Sequence, residues 1–110
     1  MHFKRYDVYL ANLDPTIGQE ICKTRPVAIV SPDELNAALG TVVVCPLTTT
    51  LHPKWRTRVQ VLCKGKKSEV ALDQIRTLRK IRLIKKLDTL PPSKAEEIRL
   101  GLTALYGESY

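Results

Sequence analysis

The chain has 110 residues, 44% of them hydrophobic, and carries 18 Lys and Arg against 11 Asp and Glu, a formal charge of +7. That length suits one domain burying roughly two-thirds of the surface its unfolded chain exposes, and leaves none for a second domain. The charge points to an anionic partner, whether nucleic acid, an acidic protein or a membrane surface.

The first residues, Met1 to Arg5, lead directly into a polar-interrupted strand, so no signal-peptide core is expected. Residues 6–11 and 27–31 are short apolar runs with aromatic or β-branched members and read as two strands. Between them lies the polar loop from Asp14 to Arg25, and Pro26 biases Arg25 toward extended backbone. Ser31 to Asn36 reads as a turn entering one short helical turn, capped by Ser31 or Asp33. Thr41 to Cys45 is a β-branched block buried on both faces, introduced by Gly40 and closed by Pro46.

Residues 57–63 alternate, placing Val59, Val61 and Cys63 inward and Arg58 and Gln60 outward. Lys64 to Ser68 makes a basic turn into a strand over residues 69–72. The apolar residues Ile75, Leu78, Ile81 and Ile84 recur every third position, a period of neither helix nor strand. One strand near 75–79 and a weaker one near 81–84 are assigned there. After Pro91 and Pro92, Ser93 and Glu96 have the spacing of a capping box. Ala95, Ile98, Leu102, Leu105 and Tyr106 then line one helical face up to Gly107. Short strands followed by one terminal amphipathic helix predict a mainly β fold, a small barrel or strongly bent sheet of mostly antiparallel strands covered by that C-terminal helix. No apolar run approaches the roughly 20 residues needed to span a bilayer, so a soluble, cytoplasmic protein without a membrane partner is expected.

Three cysteines, Cys22, Cys45 and Cys63, lack CxxC spacing, and the histidines are only His2 and His52. Neither a disulfide framework nor a metal site is expected, and no cofactor. Buried or half-buried thiols are the simpler reading, with Cys22 set apart in the polar loop.

No phosphate-binding glycine loop, carboxylate pair or serine triad is present. Polar groups instead stand at strand ends: Arg25, Thr48 to Thr50, and Asp73 with Gln74. If these ends converge, they combine a fixed cation, a hydroxyl, a carboxylate and an amide, which suits phosphodiester chemistry on RNA. The 2′-hydroxyl is RNA's own nucleophile; Arg25 offers a charged donor fork, Thr48 a hydrogen bond and Asp73 a proton acceptor. Each has a structural alternative. Arg25 pairs with Glu20 or Asp73, the threonines form a surface turn, Asp73 caps a turn or anchors Arg76, and Gln74 solvates a strand end. His52 reads as a surface loop residue, and Trp55 either as a core or interface anchor or as a surface for a base. The basic runs Lys64 to Lys67 and Arg76 to Lys86 are solvated faces or parts of a phosphate-tracking groove.

Four pieces in order resemble the MazF/PemK/Kid toxins of bacterial toxin–antitoxin modules: Asp7-Val8-Tyr9 with Leu13-Asp14-Pro15-Thr16; Gly18-Gln19-Glu20 leading to Thr24-Arg25-Pro26-Val27; Thr41 to Val44 with Pro46-Leu47-Thr48; and Asp73-Gln74-Ile75-Arg76-Thr77. The resemblance implies an SH3-like barrel, a homodimer, and sequence-specific cleavage of single-stranded RNA without ribosome or metal. The products it implies are a 2′,3′-cyclic phosphate and a 5′-hydroxyl. It implies catalytic roles for Arg25, Thr48 and Asp73, with Gln19, Glu20, Thr49, Lys54, Gln74 and Arg76 as RNA contacts. A cognate antitoxin with an acidic, apolar C-terminal segment is the other implied partner. The chain departs from the pattern at Ala71, where some members carry an arginine, and in the first loop, where some carry a histidine. A gyrase inhibitor like CcdB and a catalytically idle RNA-binding barrel are the competing readings.

Overall fold

The computed structural model describes residues 2–13 and 24–107, so Gln19, Glu20 and Cys22 lie outside the described residues. In chain order the elements are β1 (Asp7–Asn12), β2 (Thr24–Ile29), α1 (Asp33–Ala38), β3 (Thr41–Thr48), β4 (Arg58–Cys63), β5 (Lys66–Ala71), β6 (Arg76–Arg79), β7 (Leu83–Thr89) and α2 (Pro92–Tyr106). Short 3₁₀ turns, Leu72–Gln74 and Lys80–Arg82, flank β6. The strands form one antiparallel sheet in the order β4-β5-β3-β2-β1-β7, with β6 also paired to β3. It curls into a half-barrel with α2 packed on β4 and the Leu72–Gln74 turn, the mainly β architecture the sequence predicts.

The curl creates two cores from strands of alternating side chains. Val8, Ala28, Cys45, Val59, Val61, Val70 and Ile98 belong to the core beneath α2. The intervening residues Tyr9, Ala11, Val27, Ile29, Val42, Val44 and Leu78 fill the second core on the opposite face. β3 is central to both, which explains its nearly unbroken apolar run.

Pro46 does not close β3 as expected. Residues Thr41 to Val44 pair with β6, and Leu47 and Thr48 pair with β5, so Pro46 falls where that edge of β3 changes partner. A residue without an N–H is tolerated in such a gap. β2 likewise starts earlier than expected, at Thr24, and carries Arg25 and Pro26 within the strand. β5 begins at Lys66, because Lys64 (φ 50°) and Gly65 (φ 79°) form a two-residue hairpin loop with both φ values positive. That is the conformation of a type I′ turn.

The weaker strand expected near 81–84 is replaced by the Lys80–Arg82 turn and by the longer β7, which pairs with β1. The three-residue spacing does not mark one face: Ile75 packs on the core beneath α2 and Leu78 lies in the second core, whereas Ile81 and Ile84 are exposed.

Neither helix uses its expected cap. Pro91 precedes α2 without a side-chain cap bond, and Glu96 is bound to Arg99 instead of closing a box with Ser93. Pro92 at the first turn fits there because its missing N–H would have no helical partner. Of the expected α2 face, Ile98 is fully buried and Leu102 partly so, whereas Leu105 and Tyr106 are exposed; Tyr106 Oη still donates to the Leu72 carbonyl. Pro32 precedes α1, while Ser31 bonds the buried Asn36 and accepts from the Val43 amide. Cys45 and Cys63 are buried free thiols. Burial first, and then the charge of Asp73, pushes Cys45 up to about 12. Among the described residues no group of His, Cys, Asp and Glu is arranged to hold a metal, and no helix is long and apolar enough to cross a membrane.

Candidate active site

The second core occupies only part of its face. Toward the end of β2, β3 and β6 the same alternation continues with Arg25 after Val27, Pro46 and Thr48 after Val44, and Arg76 before Leu78. The apolar stripe becomes polar, and a cleft of about 520 Å³ opens there. Arg25, Thr48, Gln74 and Arg76 line it together with Thr50, His52 and Arg58; Leu13, Pro46, Leu47 and Ala71 give it apolar walls. Three separated strand ends with Arg25, Thr48 and the Gln74–Arg76 segment therefore do converge.

Arg25 is exposed in β2, opposite Ala11 of β1, so its guanidinium projects from a paired strand. Thr48 Oγ1 accepts the Thr50 amide at 3.1 Å. That bond uses a lone pair and leaves the hydroxyl proton for a ligand in the cleft. Arg76 is fixed opposite Val44 in the β3–β6 ladder. Thr49 and Lys54 are exposed and do not line the cleft.

Asp73 stands beside the cleft and not in its lining. Its expected partners were Arg25 or Arg76, but its carboxylate accepts from Arg58 Nε at 3.0 Å. Burial would raise its pKa. The Arg58 bond, Asp73's own amide and the Thr57 hydroxyl outweigh that and lower it.

Arg58 and Gln60 do point away from the core beneath α2, yet they do not face solvent. Glu69 of β5 lies opposite Gln60, Ala71 lies opposite Arg58, and paired residues share a face. Glu69 is fully buried and accepts four bonds: from the His52 amide at 2.6 Å, Gln60 Nε2 at 2.8 Å, Arg58 Nη1 at 2.6 Å and His52 Nδ1 at 3.2 Å. Burial alone would raise the pKa of Glu69, but the bonds from the His52 amide, Gln60 and Arg58 reverse that and hold it at about 2. It is thus an anion. His52 Nδ1 lies 3.2 Å from Glu69 Oε2 and 3.4 Å from Arg58 Nη1, so the same ring nitrogen faces both partners of the ion pair.

His52 is therefore not a simple surface residue but a wall of the cleft, and Arg58, with its side chain only 7% exposed, is another. The sequence reading missed Arg58 and Glu69. Their signal was available: a lone acid in a strand directly opposite a glutamine, one register step from an arginine.

A model of the PemK-like, MazF-like toxins of type II toxin–antitoxin systems matches residues 4–106. The chain belongs to that family. The endoribonuclease of a Mycobacterial species in complex with its cognate antitoxin is 27% identical, with a TM-score of 0.82 over 97% of each chain. A MazE–MazF complex from Deinococcus radiodurans is 25% identical, with a TM-score of 0.84 over 99% of each. MazF alone from that organism shares the fold at 24% identity and a TM-score of 0.80, covering 98% of this chain and 99% of that one. Arg58 is the direct ladder partner of Ala71 on the same face, so β4 places a guanidinium beside Ala71 of β5.

Proposed function

We propose that this protein is an endoribonuclease toxin that cuts single-stranded RNA at a short sequence by attack of the 2′-hydroxyl on the adjacent phosphate, without a metal ion. The observation that carries this reading is the convergence of Arg25, Thr48, Gln74 and Arg76 on one cleft in a MazF-like fold. Arg25 and Arg76 bracket the scissile phosphate, and the Thr48 hydroxyl donates to a phosphoryl oxygen. A base removes the 2′ proton, the 2′ oxygen bonds to phosphorus, and the 5′ oxygen leaves and takes a proton. Asp73, ionised beside Arg58, is the carboxylate proposed to accept the first proton. The leaving 5′ oxygen takes its proton from water, and Arg25 meets its developing charge. The products are a 2′,3′-cyclic phosphate and a 5′-hydroxyl.

The chain acts as a homodimer, with Thr49 and Lys54 contacting the RNA strand beyond the cleft; Gln19 and Glu20, outside the described residues, are the other RNA contacts of this reading. An acidic antitoxin segment covers the same basic surface, attracted by the net charge of +7. Support for that partner comes from the relatives solved with antitoxins.

The test is incubation with a long single-stranded RNA in EDTA. The new 5′ ends are expected to accept phosphate from a kinase without prior phosphatase treatment, and to recur at one short sequence. Intact RNA, or 5′-phosphate ends, contradicts the reading.

A further inference from the structure

His52 of the cleft wall stacks on Trp55, which lies beside the cleft and outside its lining, and the proposed chemistry uses neither ring. His52-Pro53-Lys54-Trp55 is a β-turn closed by the Trp55 amide donating to the His52 carbonyl at 3.0 Å, with Pro53 at the position where proline favours such a turn. The turn brings residues three apart together. The His52 and Trp55 rings stack with centroids 3.8 Å apart and planes 18° from parallel. A second turn, closed by the Arg58 amide on the Trp55 carbonyl, then sets Arg58 Cζ 4.9 Å from the centre of the indole.

The stack is fixed from below. Glu69 holds His52 by its amide and Nδ1, and the same carboxylate grips Arg58. Yet Trp55 is 50% exposed, a large apolar ring left in water. It is flanked by Lys54 and Arg56, both exposed, and no acidic residue lies between His52 and Gln60. A rigid ring pair over a cation, bordered by basic side chains and continuous with a cleft of arginines, has the composition of a single-strand nucleic-acid site: rings for the bases and cations for the phosphates.

We propose that the His52–Trp55 stack is a nucleobase platform, taking one unpaired base of the strand whose phosphate lies in the adjacent cleft, while Lys54 and Arg56 contact the flanking phosphates. This rests on the RNA reading above and adds to it the site that orders the strand. Such a platform selects for an unstacked base rather than a duplex, since paired bases do not offer a free face.

Trp55 is the only tryptophan in the chain, so its emission reports on this site alone. The full-length protein is titrated with short 2′-O-methyl homopolymers, which lack the nucleophile and stay uncut, and with an abasic oligomer carrying the same number of phosphates. Anisotropy of the labelled oligomers gives affinity. The base-bearing oligomers are expected to quench Trp55, and the abasic one is not. Trp55→Ala is expected to weaken binding of the base-bearing oligomers about five- to a hundredfold, with Trp55→Phe within a few-fold of the native chain. Circular dichroism checks that both variants fold, and Trp55→Phe keeps the test valid if Trp55→Ala does not. Equal quenching by the abasic oligomer, or unchanged affinity in folded Trp55→Ala, overturns the platform. So does quenching by an acidic apolar peptide but by no oligonucleotide, which assigns the ring to a protein partner. RNA cleavage is measured in parallel. Cleavage without a Trp55 response removes the platform and leaves the nuclease reading, while quenching without cleavage does the reverse.

Discussion

Glu69 shows how a buried charge is retained beside a basic cleft. Taking a carboxylate out of water is expensive unless its lone pairs are all used, and here two oxygens receive four donors from three residues. The pairing is an organising device. It aligns Arg58 and His52, and with Asp73 it fixes the Arg58 guanidinium from two sides. Removing the acid strands Arg58 with Asp73 alone, so Glu69→Ala is expected to destabilise the fold by about 3–5 kcal/mol in urea unfolding at neutral pH. The pH dependence follows from the lowered pKa. Folding stability from Glu69 is complete above its ordinary value of 4.5 and is lost as pH falls toward about 2, a window worth on the order of 3 kcal/mol. The variant's stability is therefore expected to fall less steeply than the native chain's below pH 4.5. Parallel pH profiles contradict the ionised, bonded Glu69.

At the scale of elements, what was legible in the sequence was the local signal and what was not was the pairing. The alternation of Val59, Val61 and Cys63 and the β-branched block of β3 have one dominant physical meaning, and both stand as expected. Pro46 misled because a proline's cost depends on which edge of the strand is paired at that point, and only the topology shows β3 changing from β6 to β5. Arg58 and Gln60 misled for the same reason: period two gives the face, not whether a loop covers it. The capping box at Ser93 failed because Pro91 and Pro92 already set the helix start. Of the candidate site, Arg25, Thr48 and Gln74 were readable as polar strand ends and Arg76 as the start of a basic run, whereas the buried Glu69 cluster needed the β4–β5 register.

The docking of α2 supplies a further test at this scale. Gly101 faces Leu72, and a Cβ there overlaps Leu72 Cδ1. Leu72 is fully buried in the core beneath α2, so its displacement disturbs packed neighbours. Gly101→Ala gains up to about 1 kcal/mol of helix propensity and incurs an overpacking cost of about 1–3 kcal/mol. The expected net result is a lower urea midpoint. A raised midpoint means the α2 contact with the Leu72–Gln74 turn is looser than described.

For the molecule as a whole, one curled sheet produces two faces with different tasks. The face under α2 carries the larger of the two apolar cores. The other face is apolar toward one end and polar toward the other, so the strands that build its core also carry the cleft residues on rigid, paired backbone. The net charge of +7 suits the anionic strand of the proposed function, and the paired strands hold Arg25, Thr48 and Arg76 on rigid backbone. The central claim is that this cleft is where phosphodiester bonds break. The measurement that tests it most directly is the single-turnover rate of RNA cleavage in EDTA for Arg25→Ala, beside Arg79→Ala, an equal loss of charge at an exposed position outside the cleft. The account predicts a fall of about 10²–10³ for Arg25→Ala at saturating protein and little change for Arg79→Ala. Equal, small losses in both variants, as mere weakening of charge attraction produces, contradict it.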